Sequence, residues 1–428
     1  MACPERQLVK PANVPKVTER RITGGTIRVE ERDGLVRARG IPYGTAARFA
    51  VGEPAVWSGV RDATRPGPAC PQRPSRLAWV TGSVLDGLTT SEDCLVLSVT
   101  APAEARDLPV MVWFHGGAYV SGSGESQKYD PTLLVREGNV VVVNVTYRVG
   151  IFGYLGPVGD DNLGLRDQIL ALRWVRDNIT EFGGDPGNVT AFGQSAGGHS
   201  VMSLMLCEPD LFHRAIVQSA PLEMDEGRDE MAQAMQSALA QQLAGIDPVQ
   251  ASVDQLLLAE AAAVQAAQPF GFLGGLAFAP RLGRAPLPPA DEVAGRIAHA
   301  ASRIELLAGW TKDDGAPFVV IAPEATADAL TKFAFADPTR RFVEAWSAHG
   351  GRAATYRFDW TPEQAPLGSC HCMELPFLFG STQAWSDASM LGPNRIIDER
   401  LAVEMRTCWA QFAHRGVESL PAGSLRFG

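Results

Sequence analysis

The sequence predicts an α/β protein in which a mostly parallel central sheet carries helices on both faces. Three observations predict it. Residues 110–114 and 140–146 are nearly continuous apolar, β-branched runs, the pattern of parallel strands buried on both sides. From about residue 95 to 220, strand-like and helix-like runs alternate, which is the βαβ rhythm of a parallel sheet. Between them Leu165, Ile169, Leu172, Val175 and Ile179 recur at helical spacing.

The elements follow in order. Residues 22–39 hold two short strand-like runs around Glu31-Arg-Asp-Gly34, a hairpin signal. The 165–179 helix stops at Phe182-Gly-Gly-Asp-Pro186, a strong turn signal. Residues 188–192 are β-prone, 199–206 continue without a breaker as helix, and 215–219, 304–308 and 355–358 read as further strands. A last helix over about 398–414 places Leu401, Met405, Trp409 and Phe412 on one face. Residues 222–300 differ: alanine- and glutamine-rich helices with Met231, Met235, Leu239 and Leu243 on one stripe, then a Pro/Gly-rich stretch from 269 to 289. This segment reads as a cap or insertion over the C-terminal edge of the sheet, where α/β proteins place their ligands. No linker or internal repeat divides the chain, so residues 1–428 read as one catalytic domain.

Composition narrows the function classes. Of 428 residues, 46% are hydrophobic and 20% charged, ordinary values for a globular protein with a large core. The net charge of −10, with no basic run, argues against nucleic acid as a partner. No apolar run approaches the roughly 18 residues of a membrane span. The N-terminal Met-Ala-Cys-Pro-Glu-Arg-Gln has no apolar core of a leader, so a cytoplasmic location is expected. The cysteines at 3, 70, 94, 207, 370, 372 and 408 are odd in number and scattered, and no metal-ligand spacing is present; neither a metal nor a cofactor is expected. Oligomeric state leaves no mark in the sequence.

Gly193-Gln-Ser-Ala-Gly197 has the form of a nucleophile elbow, in which a serine on a sharp strand-to-helix turn projects above the sheet of an α/β-hydrolase. The strand and helix on either side supply the required context and make Ser195 the candidate nucleophile. A serine hydroxyl needs a base and a carboxylate to orient that base. Donors must also stand where the carbonyl oxygen becomes negative. His115-Gly-Gly-Ala118 directly follows the 110–114 strand and has the small residues that let backbone amides approach a substrate. His115 belongs to this loop and precedes the serine, so it reads as structural. Six histidines follow Ser195: His199, His213, His299, His349, His371 and His414. Topology favours His371, in a loop after the 355–358 strand.

The chain resembles the type-B carboxylesterases, the cholinesterase/carboxylesterase family that includes bacterial para-nitrobenzyl esterases. The matching segments are Gly40-Ile-Pro-Tyr43, Ala69-Cys-Pro-Gln72, Ser91-Glu-Asp-Cys-Leu95, the 115–118 loop, Asn144-Val-Thr-Tyr-Arg148, 162–175, Asn178-Ile179, 182–189, the elbow, 211–219, 309–315 and 371–380; residues 222–275 and 317–335 match poorly. The resemblance implies an α/β-hydrolase fold with a reduced helical cap, cleaving small-molecule carboxylic esters through an acyl-enzyme. It maps the nucleophile to Ser195 and the base to His371. The acid maps to Asp314, in Gly309-Trp-Thr-Lys-Asp-Asp-Gly315, where most members carry Glu; Asp313 is the fallback. It maps the oxyanion donors to the amides of Gly117, Ala118 and Ala196, with Gly116 shaping a loop of the kind that accepts bulky alcohol groups.

The resemblance also pairs Cys70 with Cys94 in a possible disulfide and Arg48 with Glu92 in an ion pair. The expected pocket residues are Gly116, Trp310, Phe270 and Phe272. The interval of 57 residues from acid to base is shorter than usual in the family, which implies a shallower, more open site. Two other readings share these residues. One is an amide or carbamate hydrolase with the same machinery. The other is a non-catalytic binding module; such relatives lose the serine, which is retained here.

Overall fold

A computed structural model describes residues 15–157, 162–421 and 423–428; the N-terminal segment read for a leader lies outside them. Its main sheet has twelve strands. Eleven form a continuous path: β1 (Lys16–Ile22), β2 (Gly25–Arg32), β3 (Leu35–Pro42), β4 (Val96–Pro102), β5 (Leu108–Phe114), β6 (Val141–Val145), β7 (Gly184–Gln194), β8 (Arg214–Gln218), β9 (Glu305–Thr311), β10 (Ala353–Phe358) and β11 (Leu425–Phe427). Their spatial order is β1-β2-β3-β4-β6-β5-β7-β8-β9-β10-β11, and Val60–Asp62 pairs beside β2. Neighbours are antiparallel from β1 to β6 and parallel from β6 to β11.

The period-2 rule explains how one sheet serves two cores. Val110, Val112 and Phe114 of β5 face a cluster with Leu165, Leu172 and Val175 of the helix Leu163–Asn178. Met111 and Trp113, between them in sequence, face the opposite cluster with Met405 and Trp409 of the helix Glu399–Arg415. Each fully buried large side chain of this kind contributes about 1.5–3 kcal/mol. That is why β5 is apolar on both faces where it crosses the sheet centre.

The parallel strands and covering helices follow the sequence expectation, with ends displaced by a few residues. Three strands of the path, and the Val60–Asp62 strand beside β2, are not legible in sequence. β1 is mostly exposed and has no apolar alternation. β4 does not stand out from its surroundings. β11 is three residues at the sheet edge, held by its register on Tyr356, Arg357 and Phe358.

In residues 222–300, the helices Arg228–Leu243 and Val253–Ala267 pack on each other through Met231, Met235 and Leu239 against Leu256, Ala259 and Ala263. The second helix begins at a Ser252/Gln255 capping box. The chain then returns past Leu276 to the C-terminal edge of the sheet, where it lines the cavity at Ser195.

Candidate active site

β7 ends at Gln194, and the helix Ala196–Cys207 starts immediately after Ser195. Ser195 takes up the whole reversal, with φ 57° and ψ −124°. Its amide donates to Gln218 O at 2.8 Å, and its carbonyl accepts from His199 N at 2.9 Å, which locks the turn. A Cβ on Gly197 would lie 2.0 Å from the Phe114 carbonyl oxygen. Only glycine allows the helix to start this close to β5. A left-handed conformation at a non-glycine residue costs on the order of 1–3 kcal/mol and persists where its surroundings over-determine it.

The 115–118 loop leaves β5 beside this turn. Gly117 has φ 115°, and Ala118 and Tyr119 are left-handed at 52° and 59°. His115 is fully buried and stacks on Tyr147 at 4.3 Å. Tyr147 Oη donates to the His115 carbonyl at 2.7 Å, and His115 Nδ1 lies 2.8 Å from Gly116 O. Burial holds the His115 imidazole down at about 4, so it is neutral. It braces the loop.

Asp314 and His371 arrive from the ends of β9 and β10. Both are fully buried. His371 Nδ1 is 2.5 Å from Asp314 Oδ1, and Asp314 Oδ2 accepts from Thr311 N at 3.0 Å. Asp313 turns elsewhere and accepts from Ser369 N at 2.9 Å. A carboxylate only accepts, so Nδ1 carries the imidazole proton and Nε2 carries the lone pair. Gln194 Nε2, an amide donor, stands 3.3 Å from that Nε2. The rings of Phe318 and Phe335 pack on His371 at 5.0 and 5.1 Å.

Ser195 and His371 open into one cavity of about 90 Å³, with Gly116, Gly117 and Ala118 in the same wall. This is a buried donor–imidazole–carboxylate line beside a strained serine at the C-terminal edge of a parallel sheet. Comparison with known proteins decides what it belongs to. The matching family model is that of the Carboxylesterase family, over residues 13–327. The "probable N-octanoylanthranilate hydrolase AqdA2" of Rhodococcus erythropolis is 40% identical, covering 90% of each chain. The para-nitrobenzyl esterase of Bacillus subtilis is 35% identical over 93% of this chain and 90% of its own.

The chain belongs to the carboxylesterase family.

Solved structures agree. A thermophilic PNB esterase superimposes with a TM-score of 0.79 at 33% identity, covering 93% of this chain and 91% of its own. This carboxylesterase is a hydrolase of carboxylic esters with the α/β-hydrolase fold. No helix among the described residues is long and apolar enough to cross a membrane.

Several expected features of the carboxylesterase are corrected by the structure. Cys70 and Cys94 are buried, unbridged thiols. A hydrogen bond between them and burial push the Cys94 thiol well up, away from the thiolate that exchange chemistry needs. Trp310 does not line the cavity. It packs with Met224 and Leu330, under the Arg340 guanidinium at 4.7 Å. Phe270 and Phe272 do not line it either: Phe270 packs on the cluster of the 228–243 and 253–267 helices, and Phe272 meets Phe318 edge-on at 6.0 Å. Gly116 lines the cavity. The expected Arg48–Glu92 pair is present.

Sequence reasoning missed Phe318 and Phe335, which flank the imidazole, as well as Gln194, Trp79 and Trp385 in the wall. Gln194 had a signal, because it adjoins the nucleophile. Phe318 and Phe335 fall in 317–335, where the family pattern fades.

Glu374, three residues past His371, is fully buried; Gln218 Nε2 donates to its Oε1 at 3.5 Å, and its Oε2 has no partner among the described residues. Burial, and then the nearby Asp314 charge, raise its carboxyl to about 8, so it is protonated at neutral pH. A folded value above the unfolded 4.5 means that its stabilising contribution is full below that pH and is lost as pH rises through about 8. Glu374→Gln removes this titration. The variant is expected to gain stability relative to the parent as pH rises from about 5 to about 8, by roughly 1.4 kcal/mol for each pH step of one, and to hold that gain above it. Unfolding midpoints of both proteins at the two ends of that range measure it; a gap that stays constant rules the account out.

Proposed function

We propose that the carboxylesterase works through an acyl-Ser195 intermediate, with His371 as base, Asp314 orienting it, and the amides of Gly117, Ala118 and Ala196 holding the oxyanion. The observation that carries this reading is the 2.5 Å Asp314–His371 contact beside the strained Ser195. That contact fixes the tautomer a base requires. Gln194 holds the Nε2 lone pair in the resting site, and Ser195 Oγ takes that place as substrate enters.

Oγ then attacks the carbonyl carbon while its proton passes to Nε2. The tetrahedral oxyanion collapses, the C–O bond to the alcohol breaks, and Nε2 returns the proton to the leaving oxygen. Water repeats the two steps and releases the acid. The leaving oxygen must therefore face His371. The alcohol side of the substrate occupies the cavity shared by Ser195 and His371, which is walled by Trp79, Phe318 and Trp385. The acyl side lies across Ser195, in a smaller pocket that includes Ala118 and Ala196 but not His371.

A fluorophosphonate probe tests the intermediate. Stoichiometric labelling should map to Ser195 by peptide mass spectrometry; a label elsewhere, or none in active protein, refutes it. A second reading is amide or carbamate cleavage by the same residues. It is favoured by the relative named as an N-octanoylanthranilate hydrolase and by the phenmedipham hydrolase of Pseudarthrobacter oxydans, 31% identical over 90% of this chain. Leaving-group preference distinguishes the two.

A further inference from the structure

The pocket on the acyl side of Ser195, about 20 Å³ in volume, has, besides Tyr119, two polar side chains that the reaction above does not use, His199 and Arg228. Both are buried. Gln168 Nε2 donates to Ser200 Oγ at 3.0 Å, Ser200 Oγ donates to Tyr119 Oη at 3.2 Å, and Tyr119 Oη lies 2.8 Å from His199 Nδ1. Each hydroxyl has one proton to give. Tyr119 Oη accepts from Ser200, and Nδ1 is the one acceptor for its own proton among the described residues, so Tyr119 donates to Nδ1. Burial and the nearby Arg228 charge hold the ring neutral, with its value depressed to about 3. A neutral ring accepting at Nδ1 carries its proton on Nε2, which has no partner among the described residues. That ring lines the acyl pocket and the larger cavity of about 300 Å³ behind it.

Arg228 completes the set. Its Nε donates to Met224 O at 3.0 Å, and its Nη1 to Leu276 O and Ala277 O at 3.2 and 3.4 Å. Its Nη2 has no hydrogen-bond partner, and no carboxylate is within ion-pair distance, among the described residues. Asp225 is the acidic group whose charge it feels most strongly. A guanidinium withdrawn from water costs several kcal/mol unless an anion compensates it. Here three carbonyl dipoles compensate it in part, and one edge is left over beside the nucleophile.

We propose that His199 and Arg228 form a donor-only acyl subsite that selects short acyl groups ending in a carboxylate, making half-esters of small dicarboxylic acids the favoured substrates. The inference rests on the acyl-serine reading, because that mechanism decides which pocket receives the acyl group. The leaving alcohol remains in the apolar cavity at His371. The acyl carboxylate takes hydrogen bonds from Arg228 Nη2 and His199 Nε2, and its reach is limited to the few heavy atoms that the pocket admits.

Two pairs of ethyl esters test it, each joining an anion to its neutral isostere: monoethyl malonate with ethyl isovalerate, and monoethyl succinate with ethyl isocaproate. Initial rates in a pH-stat give kcat/KM. The parent enzyme is expected to favour at least one anion by about ten- to a hundredfold, the range for hydrogen bonds to a charged group. Arg228→Gln and His199→Phe should each pull that ratio down. A purely structural role would lower both members of a pair alike and leave the ratio in place. Preference for the neutral ester in both pairs, or a ratio that survives both substitutions, overturns the subsite. If Arg228→Gln does not fold, the parent ratio and His199→Phe still decide. Turnover of neutral esters alone overturns only the subsite; no turnover of any ester together with no fluorophosphonate label on Ser195 overturns the acyl-serine reading as well.

Discussion

Ser195→Ala is expected to lower kcat/KM for a short p-nitrophenyl ester on the order of 10⁵- to 10⁶-fold, with the folded structure intact. The size follows from the proposed chemistry. Without Oγ there is no acyl-enzyme, and His371 has no proton to take. What remains is binding and the amide donors, which by themselves give only a modest advantage over water. Alanine fits the site sterically, since its Cβ occupies the place of the serine Cβ. The left-handed turn is retained because the Ser195 amide and carbonyl make its locking bonds. Circular dichroism and an unchanged unfolding midpoint establish that the fold survives. Retained turnover in that variant removes Ser195 from the mechanism.

Asp314→Asn is expected to cost about 10⁴-fold in kcat, against a change of less than about tenfold for Asp313→Asn. An asparagine amide can present either a donor or an acceptor to His371 Nδ1. Where it donates, the imidazole proton moves to Nε2 and the base is lost. An asparagine also stabilises the imidazolium far less than a carboxylate does. Asp313 has no such reach, because its carboxylate is committed to Ser369 N. The shorter side chain at 314 costs no contact. Asp314 is held by Thr311 N, and His371 is packed by Phe318 and Phe335 with its Nδ1 2.5 Å from Asp314 Oδ1. Equal losses in the two variants, or a larger loss at 313, move the assignment.

Much of this is legible without the fold. The 110–114 and 140–146 runs read only as buried strands, since exposed strands show alternation. The glycines flanking Ser195 mark a turn too tight for any other residue, as the clash at Gly197 bears out. The fold class and ester hydrolysis follow from the ordered motifs, and the family comparison agrees. Aromatic pocket residues are misplaced from sequence because hydrophobicity alone does not tell a residue that lines a cavity from one that supports the lining. Trp310 and Phe272 do the second, and Phe318 does the first. The Cys70–Cys94 pairing is a matter of chemistry that spacing leaves open.

His199 shows most plainly where sequence stops. Set four residues after the serine on the elbow helix, it is too close to Ser195 to be read as the base, and nothing local suggests another use. Its tautomer depends on Gln168, Ser200 and Tyr119, and its neutrality on burial beside Arg228. The sequence determined most strands of the sheet, the elbow and the 115–118 glycine loop, because those are fixed by local geometry and by periodicity along the chain, and the family resemblance supplied the pairing of an acid with His371. Only the tertiary structure decided which carboxylate meets the imidazole, which aromatics pack on it, and which polar groups share the smaller pocket with Ser195. Those are set by distances between residues far apart in sequence, and by the desolvation that each imposes on the others.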